Sequence, residues 1–239
     1  MKILGIDTAT ESASCAVIDD GKVLGEIVFN YKKQHSVILM DMIDSILKNL
    51  KLDISDIDGF AVSEGPGSFT GLRIGTAAVK GLSQGTKKPL VGISTLDSLA
   101  FNMAFTPGII CPIMDALRGN VYTSLYEFEG GALVRKSEYM VIDLDKLIEL
   151  LSDRNSQVCF IGDAVPLYRV KLSLNLRDPK FAPAHLNVAK AASLAELGLI
   201  KLTDKGASDL HTFAPFYLRK SQAEREYEKK QRDLPNERL

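Results

Sequence analysis

Two aspartates stand where chemistry could begin. Asp7 closes the apolar run Lys2-Ile3-Leu4-Gly5-Ile6 and is followed by the polar stretch Thr8-Ala9-Thr10-Glu11-Ser12; Asp115 closes the run 109–115 and is followed by Ala116-Leu117-Arg118-Gly119-Asn120. An acid at a strand end beside a hydroxyl-rich turn is how nucleotide-handling folds hold magnesium and phosphate, and it is also an ordinary turn. A third stretch, Ser63 to Gly81 (SEGPGSFTGLRIGTAAVKG), reads as a strand end, a Gly/Pro turn and a helix start near Ser68 or Thr70. That geometry aims free N–H groups at an anion. Its spelling departs from both common phosphate loops, since Gly71-Leu72-Arg73 replaces Gly-Lys-Ser/Thr and Thr70 stands where a dinucleotide fingerprint needs glycine. Both an anion cradle and a purely structural turn are open.

Along the helix that follows, Gly71, Gly75 and Ala78 fall at i, i+4 and i+7, leaving one face almost bare. A mid-helix glycine costs about 1 kcal/mol relative to alanine, so a close backbone approach must offset it, either inside the domain or across a subunit interface. Other chemistries lack their residues. Cys15, Cys111 and Cys159 lie far apart in apolar runs, as reduced core thiols do. His35, His185 and His211 form neither HExxH nor HxxxH, so no local zinc motif is present.

The elements that position these residues repeat. Segments 2–7, 13–19 and 22–30 read as strands, the last two joined at Asp20-Gly21; 36–50 is an amphipathic helix whose Leu39, Met40, Ile43, Ile46 and Leu47 share one face, widened by Val37 and Met42. A strand ending at 60–62, the glycine helix, a strand at 89–94 and a helix at 95–105 complete the first unit. Segments 109–115, 121–128 and 132–142, a helix at 144–151 and a strand at 158–162 begin the pattern again. The expected class is α/β, two successive β-β-β-α-β units with a mixed sheet in each. The lobes should span 1–106 and 107–219, closing with a helix at 187–202 and the segment Pro215-Phe216-Tyr217-Leu218-Arg219, and 220–239 should form a charged, solvated tail.

The chain has 239 residues, 46% hydrophobic and 25% charged, and its net charge of −1 gives no general drive toward nucleic acid or membrane. With no membrane-length apolar run and no signal peptide ahead of the first strand, a cytoplasmic location is expected.

The combination of LGIDTAT, EGPGSFTGLRIG, Asp115-Ala116 shortly before Val121-Tyr122, and a late PFYLR resembles the bacterial TsaB family, also called YeaZ, from residue 1 to about residue 222. The resemblance implies a duplicated actin/Hsp70-like fold of the ribonuclease H-like superfamily. It implies a non-catalytic partner of TsaD, the enzyme that moves a threonylcarbamoyl group onto N6 of adenosine 37 in tRNAs reading ANN codons. TsaE is a further implied partner, tRNA is met through the complex, and a homodimer is an option in isolation. The interface so implied combines Leu39, Met42, Ile43 and Ile46 with the small-residue helix face of Gly71, Leu72, Gly75, Ala78 and Val79. Two departures bear on chemistry. The family's arginine at position 117 and acid at 120 are here Leu117 and Asn120, and the HxxxH metal pair of TsaD corresponds to Thr95 and Leu99. Asp7, Thr8 and Asp115 then read as a vestigial nucleotide site, with no metal or cofactor held by this chain alone and ATP or ADP only at the partner complex. The reading from a different class is an ATP-dependent kinase or acyl transferase in which those three residues bind magnesium and phosphate. A peptidase lacks both a metal motif and a nucleophile elbow.

Overall fold

The computed structural model describes residues 1–31, 35–154 and 156–219. Its first half runs β1 (Lys2–Asp7), β2 (Ala13–Asp19), β3 (Lys22–Phe29), α1 (His35–Leu50), β4 (Gly59–Gly65), α2 (Phe69–Thr86), β5 (Leu90–Ser94) and α3 (Thr95–Phe101). The second runs β6 (Ile109–Asp115), β7 (Asn120–Thr123), β8 (Tyr126–Glu129), β9 (Ala132–Arg135), β10 (Met140–Asp143), α4 (Leu144–Ser152), β11 (Val158–Ile161), α5 (Val165–Asn175), β12 (Lys180–Phe181) and α6 (Ala191–Asp204). The sheets order as β3-β2-β1-β4-β5 and β10-β7-β6-β11-β12, and once the β8–β9 hairpin is set aside the two orders correspond strand for strand, third-second-first-fourth-fifth. In both, the first three strands are antiparallel and the fourth and fifth lie parallel to the first. A duplicated mixed α/β architecture is thereby realised.

The strands follow from composition. β1, β4 and β5 are buried on both faces and read as nearly unbroken apolar runs, as parallel strands between helix layers do. Helix α1 lays Leu39, Met42, Ile43, Ile46 and Leu47 onto this sheet, and α2 adds Leu72 and Val79 on the same side. The opposite side is covered from the other half: Leu194 and Ala195 of α6 pack on Ile3, Ile18, Ala61 and Val91. Helix α3 reciprocates, packing Leu96, Leu99 and Ala100 with Ile110, Met114, Tyr126 and Ile161. The two lobes thus exchange their closing helices across the junction near residue 106.

Three differences from the sequence reading have local causes. The expected strands 121–128 and 132–142 are each divided, into β7 with β8 and β9 with β10, because Ser137 interrupts them: its Oγ accepts Leu125 N at 2.9 Å and its carbonyl accepts the Ser124 hydroxyl at 2.9 Å. β8 and β9 form a side hairpin bonded to β6. Helix α5 and strand β12 are additions. In α5 the apolar residues are spread round the helix, Val165 and Leu172 buried while Leu167, Val170 and Leu174 are exposed, so no single stripe announces it. The closing helix starts at Ala191 rather than 187, after a 3-10 turn at Ala184–Leu186. The charged tail expected from 220 lies outside the described residues.

Candidate functional site in the cleft between the lobes

The turns after β1 and β6 face each other across a cleft of about 900 Å³, with Thr10 and Glu11 on one wall and Asp115, Tyr122 and Asp163 on the other. The two turns are built alike. Asp7 Oδ1 accepts Ala9 N at 2.9 Å and Asp115 Oδ1 accepts Leu117 N at 2.8 Å, each aspartate closing its own turn. Asp7 is fully buried, its Oδ2 has no partner among the described residues, and burial pushes its carboxyl up to about 6. Thr8 is also fully buried, and its hydroxyl donates to Gly71 O at 2.7 Å.

The glycine-rich stretch is a structural turn. Ser68 caps α2, its Oγ accepting Gly71 N at 3.2 Å. The space in front of the helix start is filled by the first turn: Ser68 N donates to Ala9 O at 2.7 Å, and a Cβ on Gly67 would lie 2.3 Å from the same oxygen. The anion-cradle reading is therefore corrected, because Ala9 carbonyl stands where an anion would. The small face of α2 is likewise internal. A Cβ on Gly71 would meet Thr8 O at 2.0 Å and one on Gly75 would meet Thr8 Oγ1 at 2.5 Å, so the close approach that justifies both glycines is that of β1's end.

That placement corrects the residues expected to meet a partner. Leu39, Met42, Ile43 and Ile46 are 2–3% exposed in the chain's own core, Gly71, Leu72, Gly75 and Val79 are buried, and Ala78 is half-buried against the same core. The sequence pattern identified the helices correctly, and the stripe it named is the one the chain's own core takes up, since a core stripe and a docking stripe have the same period. The outward faces carry Val37 and Met40 on α1, 65% and 51% exposed, and Ala77, Gly81 and Gly85 at four-residue spacing on α2. Around the Cβ positions of Gly81 and Gly85 there is open space.

Asp163, just beyond β11, was not singled out by sequence. It accepts Asp115 N at 3.1 Å, and burial together with the charges of Asp115 and Glu11 pushes its carboxyl up to about 6. The available signal was the repeat itself, for Gly65 ends β4 and Gly162 follows β11 directly, with φ of +116° and +119°. Thr95 and Leu99 are both buried where α3 meets the second lobe, and the Thr95 hydroxyl lacks a partner among the described residues. All three cysteines are free and buried, Cys15 and Cys111 pushed up to about 12 by burial, which leaves inert thiols. Among the described residues no group of three His, Cys, Asp or Glu could hold a metal ion, and no helix is long and apolar enough to cross a membrane.

The last described segment enters the cleft. Phe216 N donates to Glu64 O at 2.6 Å, the Tyr217 ring lies 4.7 Å from that of Phe69, and Arg73 Nε donates to Tyr217 Oη at 3.2 Å. Arg219 donates to the carbonyl of Ala116. The amides of Ala9, Ser12 and Leu117 bond the side chains of their own turns, the walls add the carboxylates of Glu11, Asp115 and Asp163, and Arg219 is engaged on a carbonyl.

The family model described as TsaD, tRNA N6-adenosine threonylcarbamoyltransferase, matches residues 22–227. The tRNA threonylcarbamoyladenosine biosynthesis protein TsaB of Bacillus subtilis is 33% identical over 94% of this chain and 96% of its own. The solved YeaZ of Pseudomonas aeruginosa superposes with a TM-score of 0.78 at 22% identity, over 91% of this chain and 99% of that one. The ethanolamine utilization protein EutJ of Carboxydothermus hydrogenoformans, 14% identical, superposes with a TM-score of 0.51 over 83% of this chain and 90% of its own, and shares the duplicated actin/Hsp70-like fold. Similarity of that extent, over nearly the whole length of both chains, makes this protein a member of the TsaB branch of the threonylcarbamoyltransferase family.

Proposed function

We propose that this chain is a non-catalytic, activating subunit for tRNA threonylcarbamoyladenosine synthesis, pairing with a TsaD-type transferase that modifies N6 of adenosine 37 in tRNAs reading ANN codons. The whole-length similarity to a TsaB protein carries this reading. The cleft supports the non-catalytic part: its turns satisfy their own amides and its walls are acidic. TsaE is the further protein partner, tRNA is met through the complex, and a homodimer forms through the same surface when the transferase is absent. That surface is the outward face of α1 and α2, where two adjacent helices expose Val37 and Met40 beside the open Ala77-Gly81-Gly85 row.

The test is co-expression with the transferase, followed by size-exclusion chromatography and a threonylcarbamoylation assay with and without this chain. Co-elution and modification that depends on the chain are expected. Full activity of the transferase alone, or turnover of ATP by this chain alone, would overturn the reading.

A further inference from the structure

The motif PFYLR has no part in the subunit reading, yet its residues are held on both lobes, by Glu64, Phe69 and Arg73 on the first and Ala116 and Tyr139 on the second. Upstream, Asp209 gathers His211 N, Thr212 N and the Thr212 hydroxyl at 2.8–3.0 Å, and Lys80 Nζ holds the carbonyls of His211 and Phe213 at 3.4 and 3.0 Å. Phe213 and Leu210 pack on the first lobe's core. From this stem the segment 215–219 crosses to the other lobe.

Each position of the crossing meets a matching feature. The floor beneath Phe216 is Gly65, where a Cβ would come within 2.4 Å of Phe216 O, so a backbone and nothing larger is admitted. The Phe216 ring lies 5.9 Å from that of Tyr139. Tyr217 has a seat of its own: its ring meets Phe69, the Arg73 guanidinium stands 3.9 Å from the Phe69 centroid, and Arg73 Nε bonds the tyrosine oxygen. Arg219 binds Ala116 O and shares the lining of the cleft with Glu11, Asp115 and Asp163. Phe216 and Tyr217 are nevertheless 43% and 37% exposed, so the segment lies in a groove and is not part of a core.

We infer that the cleft between the lobes is a peptide-binding groove whose resident ligand is the chain's own segment Pro215–Arg219, and that its ligand class is an extended aromatic–aromatic–aliphatic–arginine peptide. The main-chain bond of Phe216 to Glu64 at the end of β4 fixes the backbone, and the aromatic seat of Tyr217 and the carbonyl that takes Arg219 supply selectivity. The groove thereby joins two lobes that the resident segment holds at a fixed separation. This inference concerns the isolated chain and is independent of any transferase partner.

The test uses the full-length chain carrying Tyr217→Ala with Arg219→Ala, titrated by fluorescence anisotropy with a labelled hexapeptide of residues 214–219. A tethered ligand competes at an effective concentration in the millimolar range. The hexapeptide should therefore bind the double variant at least tenfold more tightly than wild type. A peptide with alanine at its tyrosine and arginine should lose at least tenfold against the variant, and hydrogen exchange at residues 8–12 and 116–120 should accelerate in the variant and slow again on adding peptide. Equal binding to both proteins, no binding to either at millimolar peptide, or binding indifferent to those two side chains overturns the inference. Should the double variant not fold, Arg219→Gln alone is carried through the same titration with the same outcomes.

Discussion

Asp7 is a carboxyl that folding removes wholly from water, and that fact has a measurable sign. Its proton affinity is higher in the folded chain, about 6, than in the unfolded chain, about 4, so stability is full below pH 4 and declines as pH rises through 6. Asp7→Asn keeps an acceptor for Ala9 N and removes the titration. Relative to wild type it should gain on the order of 1–3 kcal/mol between pH 4 and pH 7, read from paired denaturant melts; a constant difference across that range would show that folding leaves the proton affinity of Asp7 unchanged. Gly75 yields a second expectation. With Thr8 Oγ1 only 2.5 Å from the position of an added Cβ, and that hydroxyl tied to Gly71, Gly75→Leu should lower the melting temperature of the isolated chain, at a cost of about 1–3 kcal/mol. An unchanged or higher midpoint would mean that β1 and α2 separate at little cost. Asp7, Thr8 and Asp115 were legible from sequence as strand-end positions. Asp163 was not, because what distinguishes it is the Asp115 amide, and that contact exists only once β6 and β11 are paired.

At the scale of elements, the sequence determined which segments are helices and strands wherever the apolar pattern had one period and one partner. α1, α2 and the strands of the first sheet were legible on that account. Helix α5 was hidden because its apolar residues point both inward and outward, and the division of β7 from β8 was hidden because it depends on Ser137, thirteen residues beyond Ser124. The same limit governed the docking face. A helix apolar over more than half its girth has two neighbours, and only packing says which side is already taken. The inner side is filled, so Met40→Asp, on the outer side, should weaken binding to the transferase at least tenfold, about 1.4 kcal/mol, while leaving the chain's own stability within about 0.5 kcal/mol. Gly81→Leu should do the same while raising intrinsic helix propensity by roughly 1 kcal/mol, since among the described residues nothing lies within 4 Å of an added Cβ there. Titration calorimetry with purified transferase and thermal melts of the free variants separate the two effects; wild-type affinity in both variants would move the interface elsewhere.

For the whole molecule the exchange of closing helices outweighs the symmetry of the two halves. The first sheet places Ile3, Ile18, Ala61 and Val91 under α6, and Gly198 lets that helix approach so closely that a Cβ there would lie 2.5 Å from Ala61 Cβ. A fragment 1–106 lacks this cover and should show no cooperative melt by circular dichroism, recovering one when 107–239 is co-expressed. A cooperative transition in the fragment alone would make the exchange dispensable. The duplication visible in sequence therefore marks ancestry of pattern and not independence of parts. On the ribosome the consequence is one of timing: every strand of the first sheet is made by residue 94, while the helix that seals its second face ends at Asp204. For the intervening stretch of synthesis an apolar sheet stands open on one side, and the second lobe must be translated before the first can close, so this chain completes its beginning only near its end.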